Sequence, residues 1–418
     1  MPTLIYQAAD AGDSSHQCSC YCIDSEFRLP VKNIMISAGE ASGDLHAANL
    51  VTALHKMDPT IKVHGMGSDH MREAGVELLY DCRDIAVMGI VEVLAKWGTI
   101  MAALDILKES LEKRPPDLLI LVDYQEFNMK LAKAAKKLGI KVMFYIGPSV
   151  WAWRSHRVKK IGRRVDMMAV LFPFEEDFYR RANVPVRFVG NPLVDEVKAT
   201  MSLAAAQAKF DLDPARTTIG LFPGSRRSEI YNLLPTQLAA ASLIHQQQPA
   251  TQFILPLAKS VSETELQPML ALHPGLPLRI VHSHIHDVMQ CCYAVISASG
   301  TATLETALMA TPMVIIYKMS NLTYKIMKRM ITIEHVGLPN IVAGKGVVKE
   351  LLQDDASPEN IAGEILLMIN DKNYHQQITT ELQAIRSKLG SAGGSQKVAE
   401  LALGMLHSPQ TTSNKSGS

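Results

Sequence analysis

Thr217-Thr-Ile-Gly-Leu-Phe-Pro-Gly-Ser-Arg-Arg-Ser-Glu229 joins an apolar run to a Pro-Gly break and a polar stretch. Its first six residues form an apolar run of strand length, Pro223 and Gly224 break it, and a helix is expected to follow. The same unit recurs along the chain. Apolar runs at 33–37, 62–64, 117–123, 141–146, 166–172 and 186–189 precede it, each separated from the next by an amphipathic stretch. After a polar helical segment around 195–210 the series restarts at 217–222 and continues at 252–256, 278–281, 293–297 and 312–317. Strand and helix in alternation predict βα units wound around parallel sheets. Two such series predict an α/β protein of two doubly wound, Rossmann-like domains facing a cleft, with ligands beyond the carboxyl ends of the strands. The expected layout is a disordered leader over 1–31, a first domain over 32–195, a second over 196–385, a C-terminal helix over 386–407 returning to the first domain, and a disordered polar tail over 408–418. Pro192 and Pro214 bracket the changeover.

With 418 residues the chain can build two cores of ordinary size, and 47% hydrophobic against 20% charged residues is a globular balance. A formal net charge of +1 gives no field that would gather nucleic acid. The longest apolar segment, 86–107, is interrupted by Glu92, Lys96 and Asp105, so a membrane span is not expected. The N-terminus lacks the pattern of a secretory signal, which points to the cytoplasm and to reduced cysteines. Cys18, Cys20 and Cys22 cluster in the leader without a distant second pair, which disfavours a metal site.

Chemistry enters at the loops. Gly224 lets a phosphate approach the backbone, the helix start offers free amides, and Arg226 offers a forked, permanent cation. An ordinary turn with a solvated arginine would read the same. A second loop, Ser297-Ala-Ser-Gly-Thr-Ala-Thr-Leu-Glu305, repeats the arrangement with Ser299, Gly300 and Thr301. Glu305 lies one turn beyond, where a carboxylate suits neutral ribose hydroxyls better than a diphosphate. Two such loops in one domain suggest a nucleotide-sugar diphosphate. Neither is a dinucleotide or P-loop fingerprint. Gly65-Met-Gly67 in the first domain is a lone fragment and reads as a tight turn.

Several strings then stand out together: Ser37-Ala-Gly-Glu-Ala-Ser-Gly-Asp44, Ala86-Val-Met-Gly-Ile-Val-Glu-Val-Leu94, Pro148-Ser-Val-Trp-Ala-Trp-Arg154, Pro223-Gly-Ser-Arg226, the 299–305 segment and Leu338-Pro-Asn340. In this order they resemble the lipid-A-disaccharide synthases of glycosyltransferase family 19, over roughly 32–405. The resemblance implies a GT-B fold with the acceptor in the first lobe and UDP in the second. It implies an inverting hexosyl transfer from UDP-2,3-diacylglucosamine to 2,3-diacylglucosamine 1-phosphate, on the way to lipid A and lipopolysaccharide. It also implies peripheral work at the cytoplasmic face of the inner membrane, and it allows a homodimer.

By motif match, Asp123 and Glu40 are the catalytic candidates. UDP binding falls to Gly224, Ser225, Arg226, Ser299, Gly300, Thr301, Glu305 and Asn340. Val87, Met88, Ile90, Trp97 and Trp151 are expected to touch acyl chains or membrane, although Trp151 and Trp153 suit core packing equally. The sequence departs from the family's Asp-x-Pro-Asp-Phe-Asn at Gln125 and Glu126, and carries Gly147 and Asn191 where serine and histidine are common.

Inversion needs one base for the attacking hydroxyl and a sink for the leaving diphosphate. Asp123 ends an apolar strand, where partial desolvation would raise its pKa and suit it as the base. It could instead cap the following turn, and Glu40 could take the base's place. Arg226 with the two helix starts would meet the diphosphate charge, so no metal or other cofactor is expected. Asp211-Leu-Asp213 matches a metal-binding pattern yet sits beside Pro214 as a turn, and His282, His284 and His286 read as a strand-end loop. Rival readings are a UDP-N-acetylglucosamine transferase acting on another lipid, a UDP-sugar epimerase, and a binding protein with weakened catalysis.

Overall fold

Runs such as Leu118-Leu-Ile-Leu-Val122 leave no exposed side chain, and only a parallel sheet covered on both faces buries a strand that completely. The computed structural model describes residues 31–85, 96–148, 157–258, 260–319 and 334–408. The first lobe carries β1 (Asn33–Ala38), β2 (Lys62–Gly67), β3 (Glu77–Asp81), β4 (Leu118–Val122), β5 (Lys141–Tyr145), β6 (Met167–Val170) and β7 (Val186–Phe188). They form a seven-stranded sheet in the order β3-β2-β1-β4-β5-β6-β7. The second carries β8 (Thr217–Phe222), β9 (Thr251–Pro256), β10 (Leu278–Val281), β11 (Ala294–Ala298), β12 (Met313–Tyr317) and β13 (Lys349–Leu352). Their order is β10-β9-β8-β11-β12-β13.

Among the described residues every strand pairing is parallel, with Ser37 opposite both Met66 and Leu121, and Ile219 opposite both Phe253 and Ala294. In both sheets the winding direction reverses beside the first strand, between β1 and β4 and between β8 and β11. Such reversals leave a crevice at the strands' carboxyl ends.

Two strands escape the sequence reading. β3 and β13 are edge strands, ELLYD and KELL, whose mixed polar and apolar residues fit one-sided burial. The fragment expected to turn at Gly65 belongs instead to β2. Gly65, at φ +151, stands at a register shift against β3, and a β-carbon there would lie 1.8 Å from the Ile36 carbonyl oxygen.

The changeover region forms two short helices, Leu193–Glu196 and Leu203–Lys209. The long helix Lys372–Lys388 packs Ile378, Leu382 and Ile385 into the second lobe's core. The last helix, Gly394–His407, instead places Val398, Ala399, Ala402 and Leu406 in one cluster with Ile34, Leu50 and Tyr145 of the first lobe. The two chain crossings touch. The Asn191 amide donates to Leu389 O (3.0 Å), the Gly393 amide to the Asp195 carboxylate (2.9 Å), and Arg386 to Val194 O (2.9 Å) and Val197 O (3.0 Å).

Candidate active site

Four loops leave the strands at the two reversals. After β8 and β11 the chain turns at once into the helices Arg227–Gln247 and Thr301–Leu308. The first turn of a helix leaves backbone N–H groups without intrahelical partners. Both starts line one cavity of about 490 Å³, together with Gly224, Ser225 and Glu305. Gly224 adopts φ +106, and a β-carbon would sit 2.4 Å from Glu229 Oε2. That carboxylate accepts from the Arg226 amide and from its guanidinium, each at 3.2 Å. Held this way, the Arg226 side chain is still 72% exposed and lines the cavity.

In the first lobe the loops carry carboxylates. Asp123 and Tyr124 follow β4 at φ +49 and +45, a conformation that side-chain-bearing residues adopt reluctantly. Asn128 secures the turn. Its Nδ2 donates to Asp123 O at 2.7 Å and to Val122 O and Ser37 O at 3.3 Å, while Oδ1 accepts from Ser37 Oγ at 2.7 Å. Burial lifts the Asp123 carboxyl above the usual carboxylate range, with a partial counter-pull from the Tyr124 amide and His46. Glu40, exposed at the start of Ala41–Met57, is raised too, by partial burial and by Asp123, and is lowered by Arg226 from the other lobe. Asp123, Glu40 and Arg226 therefore share one electrostatic neighbourhood across the cleft.

Behind Asp123, burial lowers the pKa of His46, against the pull of the carboxylate. His46 Nδ1 and Tyr145 Oη are buried without a hydrogen bond among the described residues, their rings 6.4 Å apart and edge-on. Asp44, the acid that closes the Ser37–Asp44 string, has a structural task. It accepts from the amides of Ser68 (2.6 Å), His70 (3.1 Å) and Met71 (3.3 Å) and from Ser68 Oγ (2.8 Å), fixing the short helix after β2.

Among the expected nucleotide contacts, Asn340 does not join the cavity. Its Nδ2 donates to Val348 O and Glu350 Oε1, both at 2.8 Å, and its Oδ1 accepts from the amides of Val347 (2.7 Å) and Val348 (3.0 Å). All its hydrogen-bonding capacity is spent shaping a loop at a second, separate cavity. The histidines also part company. His282 pairs with Glu263 (2.7 Å), His284 with Lys209 (2.8 Å) and His286 with Glu305 (3.0 Å). No group of three metal-ligating side chains converges among the described residues. Asp211 stands in a turn, ion-paired with Arg279, and Asp213 caps the Ala215 amide at 2.9 Å.

Val87, Met88, Ile90 and Trp151 lie outside the described residues. Trp97 opens the helix Trp97–Lys113, 49% exposed, with the Lys130 ammonium 4.7 Å above its ring. Further along that helix Ile100, Leu104 and Leu107 turn inward and join the core.

A family model described as lipid-A-disaccharide synthetase matches residues 34–402. Proteins named lipid-A-disaccharide synthase are similar throughout. The one from Geobacter metallireducens is 52% identical, over 90% of this chain and 98% of its own. The one from Coxiella burnetii (strain Dugway 5J108-111) is 42% identical, over 90% and 99%.

The chain belongs to the lipid-A-disaccharide synthase family.

It is a glycosyltransferase of lipid A biosynthesis. Solved structures agree on the GT-B fold. The UDP-GlcNAc 2-epimerase of Neisseria meningitidis bound to UDP-GlcNAc aligns with a TM-score of 0.59, over 89% of this chain and 100% of that one. The S. aureus MnaA–UDP structure gives 0.60, over 90% and 97%. At 13% and 12% identity these likenesses show architecture alone. Activity follows the disaccharide synthases, not the epimerases.

Departures from the synthase pattern lie away from the cavity. Gln125 and Glu126 are exposed in the first turn of Gln125–Lys137, and Glu126 pairs with Arg157 at 2.6 Å. Gln125 is the first residue of that helix, a position that proline also accepts well. A β-carbon on Gly147 would meet the flexible end of Met168 at 2.3 Å. Asn191 caps its own turn by accepting from the Leu193 amide at 3.0 Å.

Proposed function

We propose that the two lobes divide the transfer between them. Asp123 takes the proton of the attacking hydroxyl of 2,3-diacylglucosamine 1-phosphate. The freed oxygen bonds to the anomeric carbon of UDP-2,3-diacylglucosamine from the face opposite the diphosphate. The bond from that carbon to the diphosphate oxygen breaks, the configuration inverts, and UDP leaves with the electron pair. Arg226 and the helix starts at Arg227 and Thr301 meet the developing charge, with Ser299 and Gly300 beside them and Glu305 on the ribose. The reaction then needs no metal.

The observation that carries this reading is the convergence of loops with opposite electrostatics at the two winding reversals, close enough for Arg226 to act on Glu40. Asp123 is preferred to Glu40 as base because it is half-buried at a strand end, whereas Glu40 is exposed. Fatty substrates bring the protein to the cytoplasmic face of the inner membrane. No described helix is long and apolar enough to cross a membrane. Exposed Trp97, Lys159, Lys160 and Arg163 provide an apolar and cationic contact for anionic lipid.

The test is incubation with both acylated substrates in excess EDTA, followed by mass analysis. Disaccharide 1-phosphate and UDP should appear in equal amounts. An epimerised UDP-sugar formed without acceptor, or an activity restored only by a divalent ion, would overturn the reading.

A further inference from the structure

His286 is the second residue of the helix Ile285–Cys291, and Glu305 lies one turn into Thr301–Leu308. Their side chains meet between the helices, Nε2 to Oε2 at 3.0 Å, with exposures of only 23% and 20%. Glu305 lines the 490 Å³ cavity and His286 does not, so the histidine grips the carboxylate from behind. Glu305 Oε1 has no hydrogen bond among the described residues. One oxygen is fixed and the other is left to a ligand.

A glutamate has three side-chain torsions, the last broad, and an unheld carboxylate would sample many orientations. Here it also has a like-charged neighbour. Glu196, at the end of Leu193–Glu196, has its pKa raised by burial first and then by the charge of Glu305, while His286 pulls it down. Without His286, the Glu305 carboxylate would lose the one hydrogen bond that holds it among the described residues. The ligand group at Oε1 must suit a carboxylate one helical turn from an anion-binding start. A second phosphate would be repelled there, while a sugar hydroxyl can donate to it.

We propose that His286 is a positioning residue for nucleotide recognition, holding Glu305 Oε2 so that Oε1 receives the ribose hydroxyls of the UDP-sugar. This rests on the reading of the cavity as the UDP site. Fixing the carboxylate before the ligand arrives removes an ordering cost from binding. Three neighbouring histidines suggest a shared task, but His286 is the one whose partner faces the cavity.

Calorimetric titration of the full-length protein with UDP and with 2′,3′-dideoxy-UDP tests the proposal. The unaltered protein should prefer UDP roughly tenfold, the scale of one hydrogen bond to a charged group. Glu305→Ala should bring the preference close to one, and His286→Ala should do nearly the same. The double variant should be no worse than Glu305→Ala alone. His286→Gln, which keeps an N–H donor near the Nε2 position, should restore most of the preference and also serves if His286→Ala fails to fold. If Glu305→Ala leaves the preference intact, Glu305 does not touch ribose and the underlying reading fails. If Glu305→Ala abolishes it while His286→Ala and His286→Gln leave it unchanged, that reading stands and the role of His286 is overturned. Equal loss of both affinities in His286→Ala, with a lower Tm, would make the pair a strut between helices and likewise overturn the proposal.

Discussion

The two lobes repeat one winding plan and use it for opposite electrostatic ends. Each sheet reverses beside its first strand, and each sends two loops into the cleft from that point. In the second lobe the loop after β8 bends at a glycine, Gly224 at φ +106, and Gly224, Ser225 and Arg226 line the cavity. In the first lobe the loop after β4 bends just as sharply without glycine, through Asp123 and Tyr124 at φ +49 and +45. Glycine would relieve the strain there but could carry no carboxylate. Positive φ at residues with side chains costs energy and persists where surrounding bonds enforce it, as Asn128 does here. One lobe turns on a glycine to present amides and a guanidinium, and the other accepts strain to present a carboxylate.

The sharpest way to break that comparison is Asp123→Asn. Turnover should fall at least about a hundredfold, the scale of a lost general base, with UDP affinity unchanged within twofold. The same variant should melt higher at neutral pH. Burial raises the folded pKa of Asp123, so its ionised form costs stability once the pH rises past that value. Asparagine removes the cost and tolerates positive φ. The gain in Tm should shrink as the pH falls through the folded value and vanish below about 4, where the unfolded aspartate is protonated as well. Near-normal turnover in Asp123→Asn would move the base to Glu40.

Arg226→Ala acts on the other lobe. UDP should bind roughly tenfold more weakly and turnover should fall with it, because the guanidinium meets charge in both ground and transition states. Unchanged UDP affinity would remove Arg226 from the phosphate site. The smallest effect belongs to the rim of the first lobe. Trp97→Ser should lower partition onto phosphatidylglycerol vesicles about two- to threefold without changing Tm, since the ring is 49% exposed. Equal partition of both proteins would dismiss Trp97 as a lipid contact.

How much of this is legible in the sequence depends on burial. Strands hidden on both faces are continuous apolar runs, and β8 falls on the residues the pattern predicts. β3 and β13 are hidden on one side only, and Glu77, Asp81, Lys349 and Glu350 mask them. The glycine loops are readable because a conformational demand leaves a residue type behind. Directions are not readable. Leu338-Pro-Asn340 is as distinctive a string as Pro223-Gly-Ser-Arg226, yet the Asn340 amide points into its own loop. Asn128 and His286 act from inside helices through partners distant in sequence, and helical periodicity says nothing of which polar residue meets which. A weak signal for Asn128 is an asparagine beside Phe127 on an inward helix face, where a poor helix former needs a reason to be.

The return of the helix Gly394–His407 to the first lobe has a consequence for biosynthesis. On the ribosome, β1 through β7 emerge long before Val398, Ala399, Ala402 and Leu406, the residues that cover the outer side of Ala41–Met57 and β5. Each of the larger side chains withdraws apolar surface worth about 1.5–3 kcal/mol when buried. Until translation reaches them, the first lobe waits with an oily flank open to solvent. What is made first is finished last, so the nascent chain spends most of its synthesis time with that flank as its chief invitation to chaperones.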